Sequence, residues 1–240
     1  MIFFMPGSAI KAAARKMIFE NAPGLFFVCI LYIILITAMT WFPIRLPGRI
    51  SASDIYSRLA SGQLPGLSII YTDFKLSGVF PAILILLLQP IVDTGFKRFC
   101  LKITRNKKAG PGDIFHCFLC MLKVLSIFII SSLLVFLWSL LLIIPGIVAG
   151  YRYRQAYYIF LDDPGKGVFQ CITESKFLMY GRKLDLFTID ISFIGWYIVI
   201  AVLLLSPYPF MIPVMLIWLS PYIGLTRAAF YENILSGTAV

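Results

Sequence analysis

The sequence predicts an all-α, polytopic membrane helical bundle of about six transmembrane helices, with amphipathic helices on its cytoplasmic surface. Three observations predict it. The chain of 240 residues is 60% hydrophobic and only 13% charged, with mean hydropathy +0.91, whereas soluble domains run nearer half apolar and a quarter charged. Its apolar residues fall in runs able to cross a core of about 30 Å, which takes roughly 20 residues each. Its basic residues gather beside those runs, where they orient a membrane protein and attract anionic lipid.

Residues 8–21 begin the chain's helical pattern, with Ile10, Ala13, Ala14, Met17 and Ile18 on one face. Lys11, Arg15 and Lys16 fall off that face. Such a pattern suits a helix lying on an anionic membrane surface or, equally, a short linker helix. The start MIFFMPGSAIKAAARK has no basic region ahead of a short apolar stretch, so no removed signal peptide is expected. A first span is expected at 24–43. The connection 44–75 is rich in Pro and Gly and reads as a loop, with one helical turn near Asp54–Leu59; a soluble ligand outside the membrane would meet the chain here.

A second span, 77–96, contains Pro81, Gln89, Pro90 and Asp93. Lys97, Arg98, Lys102, Arg105, Lys107 and Lys108 follow it and mark the cytoplasmic side. The net charge of +10 raises nucleic acid as a partner, but the run lacks a soluble fold and interleaved aromatic platforms, so none is expected. Asp113 can cap a short amphipathic helix leading into a third span, 124–144. His116, Cys117 and Cys120 have metal-like spacing, yet the chain holds no other His and no second Cys pair, so no metal site is expected. Five cysteines, scattered and odd in number, argue against a disulfide framework.

The stretch 136–164 organises the rest. Ile144-Pro145-Gly146 interrupts an apolar run that resumes with Arg152 and Arg154 among tyrosines and ends at Asp162-Asp163-Pro164. An unbroken helix from 124 to 161 would be about 57 Å long, so Pro145 and Gly146 are expected to turn or kink the chain and return 146–161 as a short fourth span. Residues 165–183 form a second amphipathic stretch, with Val168, Cys171, Ile172, Ser175, Leu178 and Met179 on one face. A fifth span is expected at 186–206; Pro207, Pro209 and Pro213 turn the chain into a sixth ending about Tyr231. Counting basic residues over these loops places both termini in the cytoplasm of a multi-pass cell-membrane protein.

The whole chain, 1–240, reads as a single membrane domain. Three segments, Pro90 to Arg98, Pro145 to Arg154 and Pro221 to Arg227, share a proline, a small residue five positions on and a base soon after. They suggest three hairpin units, 8–96, 113–162 and 167–232. Inserting a charge near a helix centre costs about 2.5–3.5 kcal/mol on insertion scales, so Arg152 and Arg154 require partners. Asp93 and Asp190 are the candidates, as ion pairs or as part of a contact to anionic lipid, for which guanidinium forks are suited.

The motifs Leu137-Trp138 to Pro145-Gly146-Ile147, Tyr157-Tyr158-Ile, Asp162-Asp163-Pro164, Glu174-Ser175-Lys176, Ser192-Phe193-Ile-Gly195-Trp196 and Pro221-Tyr222 to Phe230-Tyr231-Glu232 resemble those of a family of uncharacterised bacterial integral membrane proteins catalogued as domain of unknown function 975. Ala14-Arg15 and Asn21 resemble that family's start. Arg152 and Arg154 depart from the small or polar residues its pattern implies. More distantly, the chain resembles the membrane domains attached to glycerophosphodiester phosphodiesterases, which implies a lipid-related envelope setting without the hydrolase activity.

No catalytic constellation and no glycine-rich phosphate loop is present in the sequence, so neither an enzyme nor a cofactor is expected. The leading expectation is a non-enzymatic envelope module contacting lipid headgroups, another membrane protein or a second copy of itself. The alternative is a small transporter or channel built from three helical hairpins.

Overall fold

Apolar runs without period-two alternation satisfy their backbone groups within an apolar medium by forming helices. In the computed structural model, which describes residues 6–44, 76–205 and 211–238, every regular element among the described residues is helical. These are α1 (Gly7–Glu20), α2 (Ala22–Ile44), α3 (Leu76–Thr104), α4 (Gly112–His116), a short 3₁₀ stretch (Cys117–Cys120), α5 (Met121–Leu141), α6 (Ile143–Tyr153), α7 (Ala156–Asp162), α8 (Val168–Leu178), α9 (Lys183–Ile191), α10 (Ile194–Leu205) and α11 (Met211–Thr238). The chain divides into two compact units, Met1–Ile33 with Pro90–Val240, and Ile34–Gln89. In the second unit the described residues are the C-terminal part of α2 and the N-terminal part of α3. From residue 45 onward, the loop expected at 44–75 lies outside the described residues, as do Pro207 and Pro209.

Among the described residues, three helical segments are long and apolar enough to cross a membrane: Ala22–Met39, Gly112–Leu141 and Met211–Gly237. They coincide with the first, third and sixth expected spans. The fifth is a bent pair, α9 and α10, meeting at 40° around Ser192-Phe193. Among the described residues this gives three spans, or four with the bent pair counted as one, against the about six expected. The fourth span is two helices of 11 and 7 residues, about 16 and 10 Å long and each well short of a bilayer core. The second falls within α3, of 29 residues, which is not among the three.

The chain reverses at Leu142, three residues before the proline. Leu142 is extended, with φ −162° and ψ 148°, and separates α5 from α6. Pro145 is the third residue of α6, where its missing N–H has no helical partner to lose. Gly146 permits the reversal to close: a Cβ there would stand 2.1 Å from Ser139 Oγ and 2.9 Å from Ser139 Cα. At the other end of this antiparallel hairpin Ser131 and Tyr157 line one cavity. Leu140 to Ile144, at its tip, are all strongly exposed, as lipid-facing residues would be.

The end of α3 is set by Asn106, whose φ is 53°; asparagine tolerates this left-handed conformation better than most residues. The Asn106 N–H donates to Ile103 O and the Lys107 N–H to Lys102 O, a Schellman ending. It folds 110–114 back on α3, where Gly95 is required: a Cβ there would lie 2.1 Å from Ile114 O. Asp113 does not cap α4. It sits in the first turn, accepts the Gly110 N–H at 3.0 Å, and pairs with Lys102 at 2.5 Å and Arg98 at 3.4 Å.

The N-terminal helix spends its apolar stripe on the protein. Ile10, Ala14 and Ile18 are buried, with α9 and α11 as neighbours of α1. The Lys11 ammonium lies 4.5 Å from the Phe193 ring centroid and the Arg15 guanidinium 5.9 Å from that of Tyr222. A membrane-surface role for this apolar face is thus displaced by tertiary packing. The second amphipathic stretch likewise buries Cys171, Ile172, Ser175 and Met179, while Phe169, Phe177 and Tyr180 remain exposed.

Replacing Gly146 with Val should lower stability by about 1–3 kcal/mol, the usual cost of forcing a side chain into a filled contact. Gly150→Ala, where a Cβ meets nothing within 4 Å, should be neutral or stabilising by up to about 1 kcal/mol. Thermal unfolding of both variants in detergent micelles measures the difference.

Candidate functional site

Residues three or four apart share a helix face, and that spacing assembles two charged groups. Tyr151 and Arg154 share one face and both reach Asp190 on α9. Arg154 Nη1 donates to Asp190 Oδ2, and the Tyr151 hydroxyl donates to the same oxygen at 3.2 Å. Arg227, on α11, donates from Nη2 to Asp190 Oδ1 at 3.1 Å. One carboxylate thus serves two guanidinium groups. Asp93, Phe96 and Lys97 share a face of α3. The Tyr32 hydroxyl donates to Asp93 Oδ1 at 2.7 Å while its ring stacks on Phe96 at 4.2 Å. The Lys97 ammonium sits over the Tyr157 ring, 4.0 Å from the centroid.

These groups meet at a cavity of about 330 Å³ whose walls include Asp93, Lys97, Arg154, Gln155, Tyr158 and Arg227. Gln155 occupies the break between α6 and α7. Although only 2% of it is exposed, its Oε1 has no hydrogen-bond partner, and Arg227 Nε is also buried without one. A second cavity, about 760 Å³, follows the α5–α6 hairpin and is lined by Ser131, Val135, Phe136, Ile147, Arg154 and Tyr157 among others. Arg154 belongs to both.

Of the four charged residues singled out in the sequence, Arg154 and Asp190 form an ion pair, Asp93 shares Arg154's cavity, and Arg152 stands apart. The recorded bond at Arg152 is through its backbone carbonyl, which accepts Ser175 Oγ at 2.8 Å. Sequence reasoning missed Arg227, Lys97 and Gln155 as cavity residues. Two of them carried a signal: Arg227 recurs after the third proline and Lys97 opens the basic run, but both served only as evidence of topology and repetition.

A third cluster is a clamp between chain segments. Arg105 makes two bonds to Asp162, at 2.6 and 3.0 Å, and one from Nε to Glu232 at 2.6 Å. The Tyr231 hydroxyl donates to Asp162 at 2.7 Å, and its ring stacks on Tyr158 at 5.1 Å. Hydrogen bonding to Asp162, together with Glu232, raises the Arg105 pKa above its ordinary value despite partial burial. This fork ties the end of α3 to α7 and α11, and its planar bidentate geometry suits arginine. His116 Nδ1 lies 3.0 Å from Arg98 Nη1. Among the described residues, no three His, Cys, Asp or Glu side chains stand close enough to hold a metal ion.

Asp190→Ala should destabilise the protein by about 1–3 kcal/mol, below the 3–5 kcal/mol of a fully buried pair because solvent screens part of the interaction. Adding Arg154→Leu and Arg227→Leu to that variant should recover part of the loss. Unfolding midpoints in detergent decide both. Arg105→Lys should also lower the midpoint, since an ammonium cannot span Asp162 and Glu232 as a fork.

Residues 139–238, which include Arg154, Asp190 and Arg227, match the model of a family described as a protein of unknown function (DUF975). No curated protein and no solved structure matches the chain. The family match supports the resemblance carried by the motifs that lie within 139–238 and gives it no biochemical activity.

Proposed function

We propose that the protein is a non-enzymatic, multi-pass module of the cell membrane that holds anionic lipid headgroups on its basic, cytoplasmic side. The observation that carries this reading is the surface of its long helices. Phe136, Leu137, Leu140 and Leu141 on α5, and Ile30 and Ile34 on α2, are large, apolar and exposed. Exposed apolar side chains of this size and number call for lipid or a partner to cover them. Lys107 and Lys108, exposed just past the end of α3, would meet headgroups. The distant resemblance to membrane domains of glycerophosphodiester phosphodiesterases accords with a lipid setting.

One observation favours a second reading, a small transporter or channel of three helical hairpins. Asp93, Lys97, Arg154 and Arg227 line one cavity, beside two interrupted helical runs, α6–α7 and α9–α10. Discontinuous helices frame the substrate sites of many transporters. Against it, Asp190 ties up both arginines in ion pairs, as a structural hub would.

Purified protein exchanged into nanodiscs should retain anionic phospholipid in preference to zwitterionic lipid when released lipid is identified by mass spectrometry. Equal retention overturns the lipid reading. Solute flux in proteoliposomes that Arg154→Leu abolishes would establish the transporter instead. A reporter fused to Val240 should lie in the cytoplasm; an external reporter overturns the proposed topology.

A further inference from the structure

The α5–α6 hairpin stands clear of the rest of the protein at its far end. The buried residues of α5 are Val124, Ile127 and Ser131, all in the half nearer α4. From 136 to 144 every residue is exposed, so packing beyond the hairpin itself ends below that point. The reversal carries no charge and no polar loop: Leu140-Leu141-Leu142-Ile143-Ile144 turn the chain. The hairpin therefore ends as an apolar finger of two helices.

Two polar levels limit how much hydrocarbon the finger can occupy. Helix ends leave backbone groups without helical partners. At the tip the Leu142 N–H bonds Trp138 O and the Gly146 N–H bonds Leu142 O. Among the described residues the N–H groups of Ile143 and Ile144 and the carbonyls of 139–141 gain no such bond. Lipid-exposed backbone of this kind is not found in hydrocarbon, so the tip must reach water or headgroups. Trp138, one turn before the reversal, is a side chain suited to that interface. At the base, the Arg152 guanidinium has no partner among the described residues. Beside it Tyr151 and Arg154 join Asp190, which also holds Arg227.

Leu142 and Arg152 are ten residues apart, about 15 Å of helix. Extension of the Arg152 stem toward water adds roughly one turn, about 5 Å. The finger thus matches about 20 Å of hydrocarbon, against an ordinary core of about 30 Å. On α11, which shares Asp190, sixteen residues separate Met211 from Arg227, about 24 Å, so the shortfall is greatest at the finger. We infer that the α5–α6 finger is a bilayer-thinning surface, whose partner is lipid held beside it at about two thirds of the usual core thickness. A tip left at mid-bilayer would strand the backbone groups at Leu142, and a finger in an unthinned core would strand Arg152. Thinning meets both demands, at a modest cost per ångström. The inference rests on the membrane reading above and is independent of its preference for anionic headgroups.

The test is the thermal unfolding midpoint of the full chain in vesicles of phosphatidylcholine with a fixed share of phosphatidylglycerol, the acyl chains being dimyristoleoyl, dioleoyl or dierucoyl. The wild type should unfold at least about 4 °C higher in the shortest chains than in the longest, as a modest mismatch does in a chain of this size. Arg152→Leu should narrow that difference by raising the midpoint in the longest chains, while Arg152→Lys keeps it. A second measurement fixes the depth of the tip. Cys29, Cys100, Cys117 and Cys171 are buried, so a Cys120→Ser background leaves an added thiol as the reactive one. Leu142→Cys should then react with a membrane-impermeant maleimide from the face opposite to that from which Lys107→Cys reacts.

A midpoint indifferent to chain length overturns the inference: something other than lipid, such as a second copy of the chain, then covers the finger. The same result with anionic lipid still retained in nanodiscs leaves the general lipid reading standing. Leu142→Cys protected from both faces places the tip within the hydrocarbon and overturns thinning in favour of a finger that enters one leaflet. Reaction of Leu142→Cys from the face of Lys107→Cys overturns the inference and the crossing of α5 together.

Discussion

A guanidinium group among apolar helices is tolerable only where something negative stands beside it. In this protein Asp190 meets that requirement for Arg154 and Arg227 together. The arrangement joins the α6–α7 break, the end of α9 and the middle of α11 at one carboxylate. A charge left alone in a low-dielectric interior costs far more than a paired and hydrogen-bonded one. The constraint therefore acts on backbone placement: these three elements must converge within hydrogen-bond reach. The Tyr151 hydroxyl adds a further bond to the carboxylate, and Phe187 meets the Tyr151 ring edge-on at 5.7 Å.

Convergence depends in turn on small residues where helices touch. Gly146 allows α6 to lie against Ser139, and Gly95 gives α3 the same freedom beneath Ile114. Gly224 lets α11 approach Cys100, whose Sγ would be 2.7 Å from an added Cβ. Lipid tails are as apolar as leucine, so helix association in a membrane gains little from burying apolar surface and much from close approach. The glycines supply that approach, and the charged side chains lock it. The Arg105 fork to Asp162 and Glu232 repeats the logic at the end of α3, joining positions 127 residues apart in the chain.

Interruption of helices is the other recurring device. The α6–α7 and α9–α10 breaks lie beside Arg154 and Asp190, so the residues that form the central ion pair also mark where regular helix stops. Hydroxyl groups reinforce the helices nearby: Thr94 donates to Pro90 O and Thr226 to Tyr222 O, each at 2.6 Å. Such bonds satisfy a buried hydroxyl within its own helix and ask nothing of a neighbour.

Helical class, strongly apolar segments and the need of Arg152 and Arg154 for an acid, with Asp93 and Asp190 as candidates, were legible in the sequence, because they follow from composition, run length and the cost of an unpaired charge. Those are one-dimensional properties: an apolar run is apolar in any fold, and a buried arginine needs an acid in every one. The location of the reversal at Leu142 was not legible, since Pro145 is acceptable in the first turn of a helix and so need not end one. Nor was the division of the fourth and fifth spans into short helices, because hydropathy does not distinguish a broken apolar segment from a continuous one. Only the tertiary structure decided that Arg227 shares Asp190, that Arg152 does not join them, and that Lys97 and Gln155 face the same cavity. Those facts depend on distances between residues 30 to 130 positions apart, roughly the separations from Arg154 to Asp190 and from Lys97 to Arg227. Side-chain periodicity constrains neighbours within a few turns and carries no information over that range.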